Sequence, residues 1–137
     1  LTVATYAAER QAIADVLDGA GTIVLWPGTD VEPPGPSGDP ATPASYVSAE
    51  VEYDDVEMDF GGGAVFYGRV TLAIWAERNA GDFKVRTVAD SLVTLFAAGD
   101  VDGFTYLEPM LGPPRIKEDG DAEWYGRQMD VPFVRCR

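Results

Sequence analysis

Positions over 65–76 alternate between a more apolar and a more polar side, and then the period changes to that of a helix. Phe66, Val70, Leu72 and Ile74 fall on one side of the predicted strand, and Tyr67, Arg69, Thr71 and Ala73 on the other. After a tight connection over 77–82, Val85, Val88, Ala89, Leu92, Leu95 and Phe96 recur at the spacing of one helical face. Lys84, Thr87, Asp90, Ser91 and Thr94 make the opposite, polar face. A strand with one apolar side and a helix with one apolar stripe bury both by packing together.

The remaining elements are read around that pair. A first helix is expected over 3–17, with Thr2 as N-cap and Gly19 and Gly21 as stops. Val3, Tyr6, Ala7, Ile13, Val16 and Leu17 would face the core, with Glu9, Ala12 and Asp15 opposite. A short β-rich run, 22–26, ends at Pro27-Gly28. Pro33, Pro34, Pro36, Pro40 and Pro43 then make 29–43 a loop, because proline at that density fits neither helix nor sheet. The loop reads equally as an arm laid on a neighbouring molecule or as a surface excursion. The stretch 46–53 alternates, with Val47, Ala49, Val51 and Tyr53 against Ser48, Glu50, Glu52 and Asp54. Residues 54–63 read as an acidic, glycine-tipped hairpin connection. Beyond the helix, Gly99 suits a C′ position, 104–107 a short strand, 109–114 a Pro/Gly break and 117–121 a charged turn. A last strand is expected over 123–135, with Tyr125, Met129, Val131 and Phe133 on one face and Pro132 marking either an edge strand or a strand with one unpaired side. The order is α-β-β-β-α-β-β. It predicts an α+β fold: an antiparallel or mixed sheet of four to five strands with two helices packed on it.

A chain of 137 residues is one domain, spanning 1–137. Its longest apolar runs are too short for a membrane span, and no basic segment followed by an apolar one marks a secretory signal. The charge balance changes the picture more. Ten Lys+Arg against 23 Asp+Glu leave a net charge of −13, which argues against capture of nucleic acid or anionic membrane. Such a surface serves solubility, or lets DNA pass close by without sticking.

Site chemistry is sparse. The chain has no histidine, which removes His-based triads, His zinc sites and the commonest general base. Its one cysteine, Cys136, has no histidine partner and no second thiol to pair with. Asp54, Asp55, Glu57 and Asp59 are oxygen donors of the kind Ca²⁺ or Mg²⁺ takes, but they lack EF-hand spacing, and a solvated acidic loop is the stronger reading. Gly61-Gly62-Gly63 is followed by a strand and no Lys-Ser/Thr, which excludes a phosphate loop. Trp26, Trp75 and Trp124 fit core and interface better than a binding platform, with one ring of the Trp124-Tyr125 pair partly exposed. No catalytic residue, cofactor or metal is expected.

The order of local motifs adds a further expectation. Tyr6-Ala7-Ala8-Glu9-Arg10 opens the first helix, and the short strand ends in Trp26-Pro27-Gly28. A Pro-rich loop leads to Ser45-Tyr46-Val47; Gly68-Arg69-Val70-Thr71-Leu72 precedes an Ala/Gly turn and a helix with Val88-Ala89-Asp90-Ser91-Leu92. The end carries Trp124-Tyr125 and Val131-Pro132-Phe133. Over nearly its whole length this order resembles the tail terminator proteins of long-tailed bacteriophages and related gene-transfer particles, with an unusually long 29–43 loop. The resemblance implies a non-enzymatic α+β subunit of the virion, assembled in the host cytoplasm as a homo-hexameric ring at the head-proximal end of the tail tube. The ring would stop tube polymerisation, contact the tail tube protein and dock to the head–tail connector, with DNA passing through without specific binding and with no membrane partner. Candidate subunit contacts are Tyr67, Arg69, Thr71, Trp75, Pro33 and Pro34. Candidate lumen- or tube-facing acids are Glu50, Glu52, Asp54, Asp55 and Glu57. The alternatives are another head–tail joining or tail tube component, or a small acidic enzyme or ligand-binding domain.

Overall fold

Two helices lie on one face of a mixed sheet, in a computed structural model that describes residues 5–37, 39, 41–58, 63–78, 80–101, 103–119 and 122–136. The elements run α1 (Tyr6–Leu17), β1 (Ile23–Leu25), β2 (Ser45–Met58), β3 (Ala64–Glu77), α2 (Gly81–Ala97), β4 (Phe104–Tyr106), β5 (Met110–Asp119) and β6 (Ala122–Cys136). The sheet order is β1-β2-β3-β6-β4, and β5 also pairs with β6. β1 is parallel to β2, and every other pairing is antiparallel. The fold is therefore α+β, as the hydrophobic pattern predicts.

The predicted central pair is present. Phe66, Val70, Leu72 and Ile74 of β3 are buried, as are Val85, Val88, Ala89, Leu92 and Phe96 of α2. Ile13 and Leu17 of α1, Val47 and Ala49 of β2, Phe104 of β4 and Met129, Val131 and Phe133 of β6 complete the core. Two glycines let β3 and β6 carry large rings. A Cβ on Gly68 would lie 2.6 Å from Phe133 Cζ, and one on Gly126 would lie 2.7 Å from Trp75 Cζ3. Each ring lies over a glycine on the facing strand, in space that any side chain there would fill. No described helix is long and apolar enough to cross a membrane.

Several predicted boundaries are corrected. α1 begins at Tyr6, capped by Thr5 Oγ1 accepting from the Ala8 amide at 3.1 Å; Thr2 and Val3 lie outside the described residues. The helix is also rotated from the predicted face. Glu9 is buried and Ala12 packs on the core, whereas Tyr6 and Ala7 are exposed. Glu9, Ile13 and Leu17 share the i, i+4, i+8 stripe, so geometry buries the acid once it has a partner. Gly99 does not have the positive φ of a C′ glycine. It is needed instead for close approach, since a Cβ there would lie 2.7 Å from Val16 Cγ2.

The segment 54–58, predicted as loop, continues β2 as strand, and 59–62 lie outside the described residues. The predicted break at 109–114 is largely the start of β5, an edge strand. Its register shifts between Leu111 and Pro114, which places Gly112 and Pro113 in a bulge where no ladder donor is needed. The Gly112 carbonyl accepts instead from Arg127 Nη1 at 2.9 Å. Lys117–Asp119, predicted as turn, belong to the same strand, while 120 and 121 lie outside the described residues.

Of the two readings of Pro132, the edge strand is corrected, since β6 lies between β3 and the β4–β5 side, whereas the strand is unpaired on one side at this residue. β4 pairs up to Phe133 and β5 begins opposite Asp130, so Pro132 sits at the gap between them. Its carbonyl accepts from the Leu107 amide at 2.8 Å. A strand residue's nitrogen and carbonyl face the same side, so the missing donor falls where neither strand needs it.

The length of the Pro-rich loop also has a structural reason. Parallel strands need a long crossover to return the chain to the starting end, and residues 26–44 supply it between β1 and β2. The Glu77 carboxylate holds the far end of the crossover. It accepts from Ser37 N at 2.8 Å, Ser37 Oγ at 2.9 Å and Ala44 N at 2.7 Å.

Candidate interaction face

The face of the sheet away from the helices is built by the residues that alternate with the core. Its first part is a second, smaller core. Tyr46 of β2, Trp75 of β3 and Trp124 of β6 are buried together, with Leu25, Ala44 and Ala73 packed around them. The Tyr46 and Trp124 rings meet edge to face at 5.1 Å. Lys117 of β5 closes the top, its Nζ 4.6 Å from the Trp75 ring and 5.0 Å from that of Tyr46. Trp75, a candidate subunit contact, is thus only 9 % exposed and is committed to its own chain. Trp124 is likewise buried, and Tyr125 is the half-buried member of that pair.

The second part holds the remaining candidates. Glu50 stands opposite Thr71, Glu52 opposite Arg69, Asp55 opposite Tyr67 and Glu57 opposite Val65. Before the register shift at Tyr53/Asp55 the outward positions are even-numbered, and after it they are odd. The bulge therefore keeps Glu50, Glu52, Asp54, Asp55 and Glu57 on one face, where uninterrupted alternation would have turned Asp55 and Glu57 to the other. Arg69 lies among them. Its Nη2 donates to Glu52 Oε2 at 2.7 Å, and its Nη1 is 3.3 Å from Asp54 Oδ1. The bond to Glu52 and the charge of Asp54 hold its guanidinium pKa above the ordinary value. Tyr67 donates to Glu57 Oε2 at 3.3 Å, and the Glu57 charge raises its phenol. The contact candidates and the acidic candidates, read separately along the chain, thus share one surface. Pro33 is exposed and Pro34 half-buried on the crossover.

Between these parts lies a groove of about 510 Å³. Leu25, Trp26, Pro27 and Val31 wall it; Ser48, Glu50, Thr71 and Gln128 line the sheet side. Arg115 closes one end and donates to Gln128 Oε1. Among the described residues no group of three or more His, Cys, Asp or Glu is placed to hold a metal ion, and Asp59 lies outside them.

Two polar centres on the helix side join residues far apart in the sequence, which no local pattern links. One is the buried pair Glu9–Arg135, on α1 and β6. The other is Asp82, in the first turn of α2. Its Oδ1 accepts from Tyr125 Oη at 2.7 Å and Arg127 Nε at 2.8 Å, and its Oδ2 accepts from Arg86 Nε. The bond from Arg86, then those from Tyr125 and Arg127, hold the Asp82 carboxyl well below the ordinary carboxylate range. A depressed folded value gives stabilisation that is complete above the unfolded value near ~3.9 and is lost as pH falls through the folded one. Asp82→Asn is therefore expected to lower the thermal midpoint at neutral pH, with the gap to wild type closing as pH drops below about 4. A gap that stays constant down to acid pH would contradict this role.

Fold and face together define an α+β sheet protein with one helix-covered face and one acid-rich outer face crossed by a proline-rich strap. No protein-family model and no curated protein matches the chain.

Proposed function

We propose that the chain is a structural virion subunit, a tail terminator of a long-tailed phage or gene-transfer particle. It assembles as a hexameric ring that caps the tail tube, ends its polymerisation and joins the tail to the head connector. The reading starts from the motif order noted above. The observation that carries it further is the row of five carboxylates that the β2 bulge gathers on one sheet face. Where it faces the lumen, that row repels phosphate and lets DNA slide through without specific binding; where it faces the tube, it meets a cationic partner surface. Closing a ring also needs two different, complementary patches on each subunit. The sheet offers two distinct edges, β1 on one side and β4 with β5 on the other. The role is architectural rather than catalytic, with the tail tube protein and the connector as partners. Particles assembled without this chain are expected to carry overlong tails, and a ring whose lumen is lined by Lys and Arg would contradict the assignment of the acidic face.

A further inference from the structure

We infer that the outer-face groove is a docking site for an extended, arginine- or lysine-bearing segment of a different protein. The inference rests on reading this face as an assembly surface, and it does not depend on the particle being a phage tail. Three observations carry it.

The first is the groove's chemistry. One wall is apolar (Leu25, Trp26, Pro27 and Val31), and the sheet opposite presents the Glu50 carboxylate. A long cationic side chain fits such a pairing, with its stem on the apolar wall and its head on the acid. The second is that the acceptor is free. Glu52 and Asp54 share Arg69, whereas Glu50 is exposed and has neither ion pair nor hydrogen bond among the described residues. Thr71 also lines the groove, and its Oγ1 is buried with no hydrogen-bond partner among the described residues.

The third observation decides between a second copy and a different partner. The chain is poor in positive charge, with ten Lys+Arg against 23 Asp+Glu, and most of the described cations are already engaged. Arg69, Arg78, Arg86, Arg127 and Arg135 are held in ion pairs. Arg10 and Lys117 lie over aromatic rings, and Arg115 donates to Gln128. Among the described residues only Lys84 is left without such a partner, on α2 at the opposite face of the sheet. With a net charge of −13 a second copy brings a predominantly acidic surface to this acid, and a cationic segment of another protein is the better complement.

The test is a titration of the isotope-labelled full chain with the capped peptide acetyl-Thr-Arg-Thr-Arg-Thr-amide, followed by amide chemical shifts. The expected result is saturable shifts at Ser48, Glu50, Thr71, Ala73 and Gln128 that weaken with added salt. Glu50→Gln should weaken binding about fivefold, and Glu118→Gln, an exposed acid outside the groove, should leave it unchanged. A peptide with glutamine in place of both arginines should bind more weakly than the parent. Equal binding by the glutamine peptide, an unchanged affinity in Glu50→Gln, shifts elsewhere, or no shifts at all would overturn the proposal. Self-association of the chain that buries the same amides would overturn it in favour of a second copy. A chain that fails here but still sets tail length would lose the docking site and keep its proposed function.

Discussion

Arg135→Ala is expected to destabilise the fold by about 3–5 kcal/mol, the usual cost of stranding one member of a buried ion pair. Arg135 and Glu9 are each 1 % exposed, and Arg135 Nε donates to Glu9 Oε2. Tyr53 Oη donates to the other carboxylate oxygen. The guanidinium also lies 4.1 Å from the centre of the Phe66 ring, sandwiched towards Tyr6 at 5.4 Å. Removing the arginine leaves a carboxylate in an apolar site with, among the described residues, only the Tyr53 hydroxyl as donor. Arg135→Met restores volume but not charge and should cost nearly as much. The double variant Glu9→Leu/Arg135→Met should recover most of the loss, because apolar replacement of a whole buried pair is often neutral or better. Urea midpoints of wild type, Glu9→Leu, Arg135→Met and the double variant make the double-mutant cycle. Single variants within about 1 kcal/mol of wild type would show that the pair is far more hydrated than its burial implies.

Trp124→Ala is expected to cost about 3–5 kcal/mol, as large-to-small changes at buried aromatics do. This is a claim about the outer face, since Trp124 contributes nothing to the helix-covered core and anchors the Tyr46–Trp75 cluster alone. Its loss would leave Tyr46 without its edge-to-face partner and uncover Trp75 beneath Lys117. Lys117→Ala, which removes only the cap, should cost no more than about 1 kcal/mol. Chemical denaturation gives both values. A Trp124→Ala variant as stable as Lys117→Ala would mean that the outer cluster is decoration and that the sheet is held from the helix side alone.

What the sequence made legible follows the reach of each signal. The β3–α2 pair is readable because its periodicities are long and unbroken, and Phe66 to Phe96 fall where period alone places them. The β5 strand was not readable, because Pro113 and Pro114 mark breaks almost everywhere except at a bulge on an edge, which is where they sit. Pro132 was half legible: it marks an unpaired side rather than an edge, and its missing donor is harmless because β4 ends and β5 begins on either side of it, a fact of tertiary structure. The acidic face was half legible. The change from even to odd spacing at Asp54-Asp55 is the mark of a bulge, but along the chain it reads equally as loop. Glu9 carried a signal in its spacing to Ile13 and Leu17. Its partner Arg135 stands at the far end of the chain, where no local pattern links them. The crossover's length was visible and its cause was not, because nothing local reveals that β1 and β2 run parallel.

The most direct measurement of the proposed role is the length distribution of tails in particles made with the gene for this chain disrupted, imaged by negative stain beside a complemented control. The account predicts tube-bearing structures that are overlong and detached from heads, with length and attachment restored when the chain is supplied in trans. Tails of normal length, joined to heads in the absence of the chain, would contradict it.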